Sequence, residues 1–118
     1  MSEDKIVIVI DDPTISKNLE AKLIESGYSV LVSAPHSQSA LSIILNSDPS
    51  LIVISVKLES EYSGIELAVK VNKEINIPII FISSFKNKEV YLKAKKINPI
   101  AYFTIPFEIE NLFSTIEI

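Results

Sequence analysis

The sequence predicts a doubly wound α/β sandwich, a mainly parallel five-stranded sheet with helices on both faces. Three observations predict it. Apolar runs such as "KIVIVI", "LIVIS" and "IPIIFIS" are continuous instead of alternating, which marks strands covered on both faces. Between these runs, apolar residues return every three or four positions, the period of a helix with one buried stripe. Strand and helix patterns alternate five times, and with right-handed crossovers that alternation leaves little besides a parallel sheet between helix layers.

Each element follows from its own signals. Ile6 to Ile10 form an unbroken apolar run that stops at Asp11 and Asp12, the first strand. Pro13 suits a first helical turn, Ile15, Leu19 and Leu23 recur every four residues, and Gly27 supplies a C-terminal cap. "YSVLVSA" is the second strand, and Pro35 opens a second helix with Ala40, Leu41, Ile44 and Leu45 on one stripe. "LIVIS" is the third strand, followed by a polar loop from Lys57 to Ser63 and a helix with Ile65, Ala68 and Val69 on one face. "IPIIFIS", rich in β-branched residues, is the fourth strand. Val90, Ala94 and Ile97 mark a fourth helix that ends near Asn98 and Pro99, and "IAYF" is the fifth strand. Ile109, Leu112, Phe113 and Ile116 carry the spacing of a last amphipathic helix.

The bulk properties bound the function. A chain of 118 residues suits one domain, taken as residues 1–118, and can enclose a proper core. With 47% hydrophobic and 22% charged residues it is too apolar for a disordered chain, and no run has the length of a membrane span. A net charge of -4 argues against a nucleic-acid surface, which needs clustered cations. The cations are scattered except in "KNKEVYLKAKK", Lys86 to Lys96, which reads as a helix face exposed to water. Without cysteine there is no disulfide framework or thiolate metal site. The opening "MSEDKIVIVI" has acidic residues where a signal peptide is basic, so a cytoplasmic location follows by elimination.

Sheets of this kind carry their functional groups at the carboxyl ends of the strands. Here those ends hold Asp11 and Asp12, then Ser55, then Ser83 and Ser84, then Thr104, Ile105, Pro106 and Phe107. With that set and the motifs "IVIVIDD", "LIESGYSV", "SALSII", "PSLIVIS", "SGIELA", "IPIIFISS" and "AYFTIPF" in order, the chain resembles the receiver domain of two-component response regulators along essentially its whole length. The resemblance implies the flavodoxin-like strand order 2-1-3-4-5. It implies that Asp11 and Asp12 help hold Mg²⁺, that Ser83 contacts a phosphoryl group, that Tyr102 swings with it, and that the Ile105–Pro106 bond is cis. The acceptor aspartate of the family falls on Ser55, and the lysine after strand five that pairs with the phosphoryl group falls on Ile105.

These two departures shape the functional expectation. The family chemistry needs an ionised carboxylate as nucleophile, a divalent cation and an ammonium that balances the added charge. A serine hydroxyl is a poor nucleophile without an adjoining base, and the single histidine, His36, falls at the start of the second helix. Losing one carboxylate weakens a Mg²⁺ site, and Ile105 offers a phosphoryl group no charge. Asp12 has a second role open to it as a helix cap before Pro13, and so does Ser63 at the third helix. Ser83 and Tyr102 also have plain packing roles. The loop to Gly64 runs one residue longer than the commonest family spacing.

The expected protein is a degenerate or pseudo-receiver, without enzymatic activity and with no cofactor beyond weak Mg²⁺ at Asp11 and Asp12. It would act as a phosphorylation-independent interaction module. The resemblance implies a protein partner, a histidine kinase or an output domain, and a homodimer through the fourth helix, fifth strand and fifth helix. No direct nucleic-acid or membrane contact is expected. Two readings compete with this one: a receiver that still takes phosphate on a substitute acceptor such as Glu59 or Glu61, and a small-ligand module on the same architecture. The second lacks the glycine-rich first turn of a dinucleotide site.

Overall fold

A computed structural model describes residues 4–58, 63–84 and 87–117. Five strands, β1 (Lys5–Val9), β2 (Ser29–Val32), β3 (Leu51–Ser55), β4 (Ile79–Ser83) and β5 (Ala101–Thr104), alternate with five helices. The helices are α1 (Pro13–Glu25), α2 (Ser37–Ser47), α3 (Gly64–Glu74), α4 (Lys88–Lys95) and α5 (Ile109–Glu117). All neighbouring strands pair parallel in the order β2-β1-β3-β4-β5, the expected doubly wound topology.

Every residue of β3 and β4 is buried, which explains why their sequences do not alternate. One face, through Val7, Ile52, Ile54 and Phe81, packs on α2, α3 and α4, where Ile44, Leu67, Val71 and Ala94 are fully buried. The other, through Ile6, Ile8, Val53 and Ile80, packs on Leu19, Leu23 and Leu112 of α1 and α5. Burying one such side chain contributes about 1.5 to 3 kcal/mol.

Local signals place most element ends. Asp12 Oδ1 accepts from the backbone N–H groups of Thr14 and Ile15, capping α1 with Pro13 in its first turn. Gly27 stands past the helix end at φ 98°, a conformation that disfavours residues with a Cβ. Ser63 and Glu66 form a reciprocal capping box on α3. The Ile105–Pro106 bond is cis.

Four details differ from the sequence reading. α2 begins at Ser37 with His36 as its N-cap, two residues past Pro35, because a turn from His36 N–H to Ala34 C=O comes first. β4 pairs from Ile79, since Pro78 has no N–H to contribute and only its carbonyl bonds to Ile52. On α3 the inward stripe is Gly64, Leu67, Ala68 and Val71, while Val69 is 41% exposed. Leu45, assigned to the stripe of α2, is 38% exposed. In both helices the apolar residues outnumber the positions that face the sheet.

Candidate functional site

The parallel register brings the ends of β1 and β3 side by side, with Val9 opposite Ile54. Asp11 and Ser55 therefore meet. The Ser55 hydroxyl donates to Asp11 Oδ1 at 3.0 Å and accepts from the Asp11 backbone N–H, also at 3.0 Å. Ser55 is only 2% exposed. Its hydroxyl is thus both enclosed and engaged in the two directions a hydroxyl offers.

Asp11 and Asp12 part company here. Asp11 turns to Ser55, whereas one carboxylate oxygen of Asp12 is occupied by two backbone donors at the start of α1, at 2.9 and 3.2 Å. A Mg²⁺ site is built from hard oxygens in near-octahedral order, with carboxylates supplying the charge. The donor set fits that ion poorly. It provides two carboxylates that both have protein partners, and a neutral hydroxyl in place of the third. Among the described residues no group of three His, Cys, Asp or Glu side chains converges.

The loop after β3 returns to the same spot. Gly64 N–H bonds to Val56 C=O at 2.7 Å, and a Cβ on Gly64 would overlap the Ser55 carbonyl oxygen and come within 2.8 Å of Ile54 Cγ2. The longer loop thus still brings its glycine onto the end of β3. Glu59 and Glu61, the suggested substitute acceptors, lie outside the described residues.

Across the sheet, β4 ends at Ser83, which is 2% exposed and whose backbone carbonyl accepts from Ile105 N–H at 2.8 Å. Ser84 is exposed. The Ile105 side chain, half-buried, packs against the α1 and α5 cluster together with Phe103, Phe107 and Ile109. An apolar side chain here joins the core and presents no donor to the strand ends.

Tyr102 sits on the opposite face, with its ring centroid 6.4 Å from Phe81 and 5.1 Å from Tyr91, the latter edge-on at 88°. Its hydroxyl is buried and has no hydrogen-bond partner among the described residues. A cavity of about 250 Å³ lies beside it, between α4 and β5, lined by Tyr91, Lys95, Asn98, Pro99, Ala101 and Tyr102. His36 is exposed at the start of α2, on another segment from Ser55.

Sequence reasoning sought a base for Ser55 among histidines and missed Asp11. The signal was present: in a parallel sheet ordered 2-1-3-4-5, the residues just past β1 and β3 are neighbours. A carboxylate two residues beyond one strand lies against the last residue of the other.

A family model described as the response regulator receiver domain matches residues 6–117. Among solved structures, the signal receiver domain of a modulated diguanylate cyclase from Desulfovibrio desulfuricans G20 is 28% identical with a TM-score of 0.88, covering 98% of this chain and 92% of that one. A CheY-like response regulator receiver domain protein from Methanospirillum hungatei JF-1 is 26% identical with a TM-score of 0.88, at 98% and 92% coverage. The chemotaxis response regulator CheY4 of Vibrio cholerae, 21% identical, shares the fold with a TM-score of 0.86, at 98% coverage of both chains. Among curated proteins no significant match is found.

Proposed function

We propose, from the premise that the chain belongs to the response regulator receiver domain family, that it is a receiver which no longer undergoes aspartyl phosphorylation and regulates through protein contacts alone. The observation that carries this reading is the Ser55–Asp11 pair. At the acceptor position stands a buried hydroxyl that donates to the carboxylate of Asp11. A carboxylate is too weak a base to make an alcohol a good nucleophile, and the pairing engages one oxygen of Asp11 that a metal would otherwise use. Ile105 adds to it, because no ammonium stands ready for an added charge of about -1.5 to -2.

The module has no enzymatic activity of its own on this reading, binds Mg²⁺ weakly at Asp11 and Asp12, and works in the cytoplasm. Among the described residues no helix is long and apolar enough to cross a membrane. Its partner is a protein of a two-component pathway, a histidine kinase or an output domain. The contact surface is the face of α4, β5 and α5, which in this chain has the exposed Tyr91 and the cavity beside Tyr102. A second copy of the chain is another occupant of that face.

Intact-mass spectra after incubation with acetyl phosphate and Mg²⁺ test the reading. Unmodified protein is expected, with no effect of beryllofluoride on its thermal melt. A mass gain of one phosphoryl group would overturn it, and mapping that group would tell Ser55 from Glu59 and Glu61.

A further inference from the structure

β2 forms one edge of the sheet, and its sequence does little to guard it. Sheet edges are commonly blunted by lysine, proline or a bulge, because their outward N–H and C=O groups are a template for another strand. The other edge, β5, is half-buried and stands between Pro99 and Pro106, with Lys95 and Lys96 shortly before it. β2 reads Ser-Val-Leu-Val, with Leu31 40% and Val32 44% exposed. No Asp, Glu, Lys or Arg occurs between Glu25 and Asp48, so β2 and α2 are both without formal charge in a chain that is 22% charged.

Pairing with β1 fixes which backbone groups of this edge face out. Ser29 N–H bonds to Asp4 C=O at 3.1 Å and Ser33 N–H to Ile8 C=O at 2.9 Å, so Ser29, Leu31 and Ser33 turn their groups inward. Val30 and Val32 turn theirs outward. Tyr28 shares that outward phase, but its N–H is taken by Leu23 C=O at 3.1 Å.

We propose that a second copy of the chain pairs with this edge, β2 against β2, antiparallel about a two-fold axis through Leu31. In that register Val30 lies opposite Val32 of the second copy, and each such pair exchanges two backbone hydrogen bonds. Leu31 meets its own counterpart at the non-hydrogen-bonded position between them, where side chains come closest. The edge is thus complementary to itself. Charge selects the same occupant. Two copies with a net charge of -4 each repel one another, and the repulsion is least where neither surface brings a charge. A charged segment of another protein would find no counter-ion on this strand. A two-fold contact closes on itself, so the dimer is its end point. Four residues a side make a small interface, and the pairing is accordingly weak. The inference goes beyond the receiver reading, since β2 and β5 are opposite edges of the sheet and this contact leaves the face of α4, β5 and α5 uncovered.

Sedimentation equilibrium of the full chain, without phosphodonor, should show the mass rising from monomer towards dimer between roughly 10 µM and 1 mM, undiminished by added salt. The chain has no cysteine, so disulfide trapping locates the contact. Leu31→Cys should cross-link under mild oxidation at least about tenfold faster than Val32→Cys or Leu92→Cys, because Cα atoms opposed at about 4.5 Å lie within disulfide reach. Leu31→Lys with Val32→Lys, both at exposed positions, should keep the melting temperature and hold the chain monomeric. If that variant folds poorly, the trapping comparison decides by itself. A monomer throughout the concentration range, a mass that passes beyond the dimer, association that salt dissolves, or trapping that is fastest at Leu92 or equal at the three positions would overturn the proposal.

Discussion

The Ser55 hydroxyl and Asp11 hold each other at two points, the hydroxyl donating to the carboxylate and accepting from the backbone N–H, each at 3.0 Å. One small side chain thereby ties the end of β3 to the turn after β1. A carboxylate at position 55 could accept from the same N–H, but it would face Asp11 as a like charge and would need a cation between them.

Ser55→Ala should therefore destabilise the protein by about 1 to 3 kcal/mol, because the part-buried Asp11 N–H and carboxylate both lose a partner. Urea denaturation followed by circular dichroism measures this. A change within about 0.5 kcal/mol of wild type would mean that water replaces the hydroxyl at no cost.

Gly64→Ala should cost about 1 to 3 kcal/mol, as overpacking does where backbone is the obstacle. The added methyl would overlap the Ser55 carbonyl, which is itself fixed at a strand end. Unchanged stability would show that the segment before α3 can shift without loosening its cap.

Tyr102→Phe should be neutral or raise stability by up to about 1 kcal/mol, since the hydroxyl it removes is buried with no partner among the described residues while the ring keeps its contacts with Phe81 and Tyr91. A loss above about 1 kcal/mol would indicate that an ordered water satisfies the hydroxyl.

The element order was legible because β3 and β4 are buried on both faces, so their sequences lack alternation, and because Gly27, Asp12 and Ser63 mark helix ends by local chemistry. What was not legible depends on which face an apolar residue takes. Val69 and Leu45 fit a helical period on paper, yet the sheet is covered by the smaller Ala68 and Ala40 and by Leu67 and Ile44. At the strand ends the residue types were readable and their pairing was not. Asp11 and Ser55 are separated by 44 positions, and only the parallel register joins them.

The last prediction separates the two losses at the strand ends. Ser55→Asp restores a third carboxylate beside Asp11 and Asp12, so Mg²⁺ should raise its melting temperature, whereas the wild type should melt alike in Mg²⁺ and in EDTA. Without metal the variant should be less stable than wild type, because the added charge faces Asp11 in a buried setting. Phosphoryl uptake from acetyl phosphate should return only in part, since Ile105 lies in the apolar cluster of α1 and α5 and cannot balance the group. Ile105→Lys alone should destabilise by removing that packing. Combined with Ser55→Asp it should increase phosphorylation over the single variant, as the ammonium gains an anion to leave the cluster for. Intact-mass spectra and melting curves across the four proteins, with and without Mg²⁺, measure both effects. A double variant that binds Mg²⁺ yet stays unmodified would place the remaining fault in the longer loop before Gly64, because charge and ligand count would then both be restored.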